Sequence, residues 1–175
     1  MKSMLKGSSI YLRTLEPSDF ESLLSWENNP ENWRVSETRV PFSKELILQY
    51  VNSAQDLLAV KQIRLMICLQ STNEPIGSVD LFDYEPIHQR MGVGILIVEN
   101  MRGKGYGLEA LELTSEYALN GVGIRNLYCN ILGDNQASRK LFQRSGYVEI
   151  GCRKDWFNDK GYWIDEYLYH KRLVK

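Results

Sequence analysis

The stretch "RGKGYG", residues 102–107, constrains the fold of this chain more than any other segment. It lies between an apolar run, "MGVGILIV" (91–98), and "LEALELTSEYALNG" (108–121), whose apolar residues recur at helical spacing. A strand that passes through glycines into a helix places unpartnered first-turn N–H groups and the positive end of the helix dipole at the strand's tip. Gly103, Gly105 and Gly107 let an anion approach those N–H groups with no Cβ in the way, and Arg102 and Lys104 add positive charge. The stretch therefore reads as a phosphate or pyrophosphate cradle. The dinucleotide pattern G-x-G-x-x-G does not fit the glycine spacing, and the P-loop pattern G-x-x-x-x-G-K-[ST] is absent.

The remaining segments predict an α+β chain. "IYLR" (10–13) alternates as a strand, and "PSDFESLLSWENN" (17–29) carries a helical stripe of Phe20, Leu23, Leu24 and Trp26 with Pro17 in its first turn. "PFSKELILQYVNSAQDLL" (41–58) predicts one further helix capped by Ser43. "IRLMICLQ" (63–70) and "PIGSVDLFDYE" (75–85) read as strands joined by a turn, with Asp83 and Glu85 near a turn at Pro86. After the central helix come a strand, "IRNLYCNIL" (124–132), a short helix, "NQASRKLFQRSG" (135–146), and a hairpin turning at "NDKG" (158–161). The order predicts a mostly antiparallel sheet with one strand–helix–strand crossover in the second half.

With 175 residues, 43% hydrophobic content and no linker or repeat, the expectation is one domain over residues 1–175. A net charge of -1 and no basic stripe argue against nucleic acid as a partner, and no stretch approaches membrane-span length. Three cysteines, Cys68, Cys129 and Cys152, fall in no metal-ligand spacing and suit a reducing cytoplasm. No metal is expected, and the partner is a small molecule or one local protein surface.

"RGKGYG" resembles the acetyl-CoA signature R/Q-x-x-G-x-G/A of the GCN5-related N-acetyltransferases (GNAT) through Arg102, Gly105 and Gly107. "LYCNILGDNQASRKLFQRSGY" (127–147) resembles the family's second block through Asn135, Ser138, Leu141, Gly146 and Tyr147. The opening "IYLRTLEPSDFESLLSWENN" and the ending "WFNDKGYWIDEYLY" are similar to the branch holding ribosomal-protein N-terminal and spermidine acetyltransferases.

The resemblance implies a GNAT fold whose central mixed sheet splays at the cofactor strand and is flanked by helices. It implies acetyl-CoA as co-substrate, with pantetheine paired to the backbone of Leu96, Ile97 and Val98 and an N–H near Ile97 polarising the thioester carbonyl. The pyrophosphate would rest on the N–H groups of Gly103, Lys104, Gly105, Tyr106, Gly107 and Leu108. Asn135 would bind the pantetheine amide, cap the following helix, or both, and Arg139, Lys140 and Arg144 are candidates for the nucleotide phosphates.

The implied reaction is direct attack of a primary amine on the thioester. An amine of pKa about 10.4 must lose a proton first, and Asp80, Asp83, Glu85 and, more weakly, His88 are the candidate bases. The tyrosine that many members use to protonate the leaving thiolate is replaced by Phe142, with Tyr106, Tyr128 and Tyr147 as stand-ins. An acidic set, Glu27, Glu31, Glu37, Asp80, Asp83 and Glu85, favours a cationic acceptor, a polyamine or a basic N-terminus. By the same resemblance Asp83 is similar to an acidic position of the spermidine enzymes, but Gly92 stands where those carry a glutamate. Trp26, Trp33, Trp156, Phe157 and Trp163 are groove or core candidates. The alternative is a catalytically weak acetyl-CoA sensor or interaction module. Homodimers are common in the resembled branch.

Overall fold

The computed structural model describes residues 5–36, 38–53 and 57–174. Its centre is a seven-stranded mixed sheet in the order β1-β2-β3-β4-β5-β7-β6. The strands are β1 (Ile10–Thr14), β2 (Ile63–Leu69), β3 (Pro75–Glu85), β4 (Arg90–Ile97), β5 (Asn126–Leu132), β6 (Val148–Asp159) and β7 (Tyr162–Arg172). Every neighbouring pair is antiparallel except β4 with β5. That parallel pair is joined through a crossover helix, α5 (Tyr106–Tyr117), as a parallel connection requires.

Alternation along the strands sorts their side chains onto two covered faces. On one, Leu12, Leu65, Ile67, Val79, Leu81, Met91 and Val93 pack with Ala110 and Leu111 of α5. On the other, Met66 and Cys68 pack with Leu23 of α1 (Phe20–Glu27) and with Ile47 and Val51 of α3 (Lys44–Asn52). Strand β2 is covered on both faces, which is why it reads as a near-continuous apolar run rather than an alternating one.

Two local expectations need correction. The helix beginning at Ser43, whose hydroxyl accepts from the Leu46 amide (3.2 Å), stops at Ser53, where the backbone is extended. Leu57–Val60 forms a separate turn of helix, α4, and Ala54–Asp56 lie outside the described residues. A helix over Pro30–Ser36, α2, was not anticipated, because its support is tertiary. Asn32 and Trp33 donate side-chain hydrogen bonds to the carbonyls of Trp26 (3.0 Å) and Glu27 (2.8 Å) at the end of α1. Asp83 and Glu85 lie at the end of β3, before the turn at Pro86, as expected; a bulge between Phe82 and Glu85 places Asp83 at φ 51°.

The hairpin turn is as expected, with Lys160 and Gly161 at φ 51° and 96° between β6 and β7. The short helix, α6 (Gln136–Arg144), follows β5 and lies against α5, where Gly107 approaches the Leu141 side chain.

Candidate active site

Strands β4 and β5 pair only at Arg90↔Asn126, Met91↔Leu127 and Gly92↔Tyr128. Beyond Gly92, β4 keeps its partner β3 as far as Gly77↔Ile97 but has none on the β5 side, so the sheet opens as a wedge. The wedge leads to the glycine stretch at the end of β4 and to Asn135 at the end of β5.

The ladder decides which backbone groups line the wedge. Val98 donates to Ile76 (2.9 Å), and in an antiparallel pair alternate residues turn their N–H and C=O to the same neighbour. Leu96 and Val98 therefore face β3, while Ile95 and Ile97 face the opening. This corrects the expectation for Leu96 and Val98. Both backbone groups of Val98 are engaged, because its carbonyl also accepts from Met101 (3.0 Å). Ile97 turns its amide to the opening while its carbonyl accepts from Arg102, and Ile95 was missed because the phase of the ladder depends on pairing that one strand cannot reveal.

At the end of β4, Gly103 and Gly105 stand at φ 75° and 90°, and a Cβ on either would project into open space. Among the described residues the amides of Gly103, Lys104, Gly105, Tyr106 and Gly107 find no acceptor. They form a five-amide nest at the start of a twelve-residue helix, a donor set suited to a pyrophosphate. Leu108 is not part of it, since its amide donates to the Gly105 carbonyl (3.1 Å) inside the first helical turn. Arg102 spends its Nε on the Ile97 carbonyl (2.8 Å), which ties the loop to the strand. Lys104 is exposed, with Nζ 3.6 Å from Met101 Sδ.

Across the wedge, Asn135 caps α6 by accepting from the Ser138 amide (3.1 Å). That bond uses only Oδ1; the Nδ2 donor has no partner among the described residues. Lys140 and Arg144 are exposed. Arg139 is committed elsewhere: its guanidinium stacks 3.9 Å from the Tyr167 ring centroid and donates to Tyr169 Oη (2.9 Å) and Glu149 (3.2 Å).

The opposite face of the wedge carries the charged groups. Asp80 is engaged at both oxygens by Arg64, at 2.6 and 3.0 Å, and the same guanidinium bonds Glu27 and lies 5.4 Å from the Tyr50 ring centroid. Two members of the expected acidic set thus share one cation, which leaves one negative charge over on this face. Glu37, another member, lies outside the described residues. Asp83 is different: among the described residues its side chain is bonded only by the Tyr128 hydroxyl (2.9 Å). Burial and that bond push the Tyr128 phenol up to about 12, which keeps it a donor. Glu85 accepts the Ile87 amide (3.2 Å). Asp83, Glu85, Tyr84, Tyr128, Lys61 and Arg90 line an open cleft of about 520 Å³.

A family model described as an acetyltransferase (GNAT) domain matches residues 9–148. The chain belongs to the GNAT acetyltransferase family. The N-acetyltransferase YoaA of Bacillus subtilis is 23% identical to it over 173 residues, covering 97% of this chain and 96% of YoaA. Among solved structures, spermidine N-acetyltransferase from Vibrio cholerae, crystallised with CoA and spermine, is similar at a TM-score of 0.84 and 20% identity, covering 95% of this chain and 97% of that one. Ribosomal-protein-S5-alanine acetyltransferase from Vibrio fischeri gives 0.82 and 18%, covering 96% and 95%. As a GNAT N-acetyltransferase the protein uses acetyl-CoA, and the nest, the wedge and the free Asn135 donor suit that molecule.

In this GNAT chain Phe142 is core: it is 2% exposed and packs edge-to-face on Tyr147 at 4.9 Å between ring centroids. Tyr147 is no substitute acid. Its hydroxyl is buried without a partner among the described residues, and burial pushes its pKa far up. Tyr106 packs against the core, whereas Tyr128 reaches the cleft. Of the aromatic candidates, Trp26 packs on the α1–α3 cluster, while Trp156 and Trp163 are both 59% exposed on the terminal hairpin. Among the described residues no helix is long and apolar enough to cross a membrane, and no cluster suited to a metal occurs.

Proposed function

We propose that the protein transfers the acetyl group of acetyl-CoA to a primary amine by direct attack, with the donor in the wedge between β4 and β5 and the acceptor arriving on the α1–α3 face. The observation that carries this reading is the join of an unpaired strand edge, Ile95 and Ile97, to the amide nest of Gly103–Gly107. The nest would hold the pyrophosphate, and the edge would pair with the pantetheine arm as an added strand. Asn135 would donate through Nδ2 to a pantetheine carbonyl, and Ser138 and Lys140 flank that side. The Ile95 amide, on the same open edge and nearer the closed end of the wedge where Asp83 stands, is the donor placed to polarise the thioester carbonyl.

Asp83 is the carboxylate proposed to take the amine's proton. Asp80 is occupied by Arg64, whereas Asp83 keeps Oδ1 free, with its other oxygen fixed by Tyr128. As the N–C bond forms and the C–S bond breaks, the thiolate leaves without a donor at position 142. Its acidity, near that of a cysteine at about 8.5, makes that departure tolerable. The buried Phe142 favours a second reading, an acetyl-CoA sensor that turns over slowly. Named relatives act on spermidine and on a ribosomal-protein alanine, so the acceptor is an amine of a small molecule or of a protein.

Thiol release from acetyl-CoA against amines and short peptides, with calorimetric titration of acetyl-CoA, tests the reading. Binding with turnover supports catalysis, binding without turnover supports the sensor, and no binding overturns both.

A further inference from the structure

The cleft at the closed end of the wedge carries charges of both signs that do not neutralise one another. Asp83 bonds only the Tyr128 hydroxyl and Glu85 only the Ile87 amide, while Arg90 and Lys61 form no ion pair among the described residues. The contrast lies three residues from Asp83 along the same strand, where Asp80 is held by Arg64, which it shares with Glu27 of α1. Open opposite charges that face one space without pairing suit a ligand that brings both signs itself.

The cleft is also built at some conformational cost. Lys61, Asp83 and Gln89 have φ of 55°, 51° and 48°, and they hold or adjoin its walls. Such positions are strained for residues other than glycine and collect at ligand sites. They are braced: the Tyr84 amide donates to the Lys61 carbonyl (2.9 Å), and the Gln89 carbonyl accepts from Arg125 and Asn126 (2.8 and 2.9 Å). The Phe82 ring lies over Gly92, where a Cβ would come within 2.2 Å of it, and meets the Tyr128 ring edge-to-face at 6.2 Å. Because Gly92↔Tyr128 is the last pair before β4 and β5 part, the cleft abuts the point where the wedge opens.

We propose that this cleft is the acceptor subsite and that its ligand is a small zwitterion: an amine placed beside Asp83, joined to a carboxylate or similar anionic group taken by Arg90 and Lys61. This rests on the N-acetyltransferase reading above and narrows its acceptor to amino-acid-like molecules. The formal charges of Asp83, Glu85, Lys61 and Arg90 cancel, so the cleft offers no net attraction to a purely cationic polyamine, which would leave both cations unmatched. Tyr128 is a positioning residue, fixing one oxygen of Asp83 so that the other meets the amine.

The test is thiol release from acetyl-CoA with the full chain. The probes are the free amino acids, including those with a terminal side-chain amine, their methyl esters, and spermidine. The free acids should turn over, and esterification should lower kcat/KM about tenfold or more, the loss expected when a charge-assisted contact is removed. Arg90→Gln should raise the KM of the free acid to a similar degree while leaving the ester and the KM of acetyl-CoA unchanged. Lys61→Gln serves as a second variant should Arg90→Gln lower the melting temperature. Equal rates with acid and ester, or spermidine as the preferred acceptor with a KM unmoved by Arg90→Gln, would overturn the proposal. So would silence of every free acid while calorimetry shows acetyl-CoA bound, an outcome that leaves the donor site standing. Absence of acetyl-CoA binding defeats the reading underneath.

Discussion

Tyr128 donates its hydroxyl to Asp83 Oδ2 over 2.9 Å, tying β5 to β3 across the β4 residue, Gly92, at which the parallel pair ends. The bond joins positions 45 residues apart and aims a carboxylate at the base of the wedge.

Removing this hydroxyl should therefore act on the acceptor step. Tyr128→Phe keeps the ring contact with Phe82 and costs about 1 kcal/mol of stability, the net worth of one hydrogen bond. Acceptor kcat/KM should fall about tenfold while acetyl-CoA affinity holds. Steady-state kinetics paired with calorimetry distinguish this from a general loss of structure, which would weaken both ligands.

The nest should fail when its backbone can no longer adopt its conformation. Gly105 sits at φ 90°, where a β-branched side chain is strained, so Gly105→Val should cost about 1–2 kcal/mol and weaken acetyl-CoA binding tenfold or more. Lys104→Ala, which removes only an exposed charge, should change affinity less than threefold. An equal loss in both variants would mean that side-chain charge rather than backbone geometry holds the anion.

Arg64 holds two carboxylates together. Arg64→Met would leave Glu27 and Asp80 without their shared cation on a partly buried face and should destabilise the protein by about 3 kcal/mol, read as a lower urea midpoint. Asp80→Asn, which keeps the shape and one partner, should cost less than half as much.

Acid should unfold the protein through its N-terminal region. Burial alone would raise the Asp19 carboxyl, but paired bonds from Arg13 (both 2.7 Å) and one from the Glu16 amide outweigh it and hold it below the usual range. Glu109 is likewise held down, against burial, by the amides of Ser9 and Ser8 and the Ser8 hydroxyl. A depressed carboxyl contributes fully above its unfolded value, near about 4, and loses that contribution as pH falls through the folded value. Melting temperature should be flat from about pH 7 to 5 and drop below about pH 4. In Asp19→Asn the drop should be shallower, from a lower starting point.

The sequence by itself determined what is local. The glycines of 103–107 specify positive φ before a helix, the alternation in "IYLR" and the helical stripe from Phe20 to Trp26 specify their elements, and Asn135 caps α6 because an Asx residue before a helix does so wherever it occurs. These are preferences of a residue and its near neighbours, so they survive without a partner in view. The phase of the β4 ladder, which gives the wedge Ile95 and Ile97 rather than Leu96 and Val98, was settled only by pairing with β3, since hydrogen-bond direction alternates and the neighbour sets its parity. Tertiary structure also separated two aspartates that look alike in "VDLFD". Asp80 faces Arg64 and is spent, whereas the bulge turns Asp83 to Tyr128 and the cleft, because the availability of a charge depends on what the fold places opposite it.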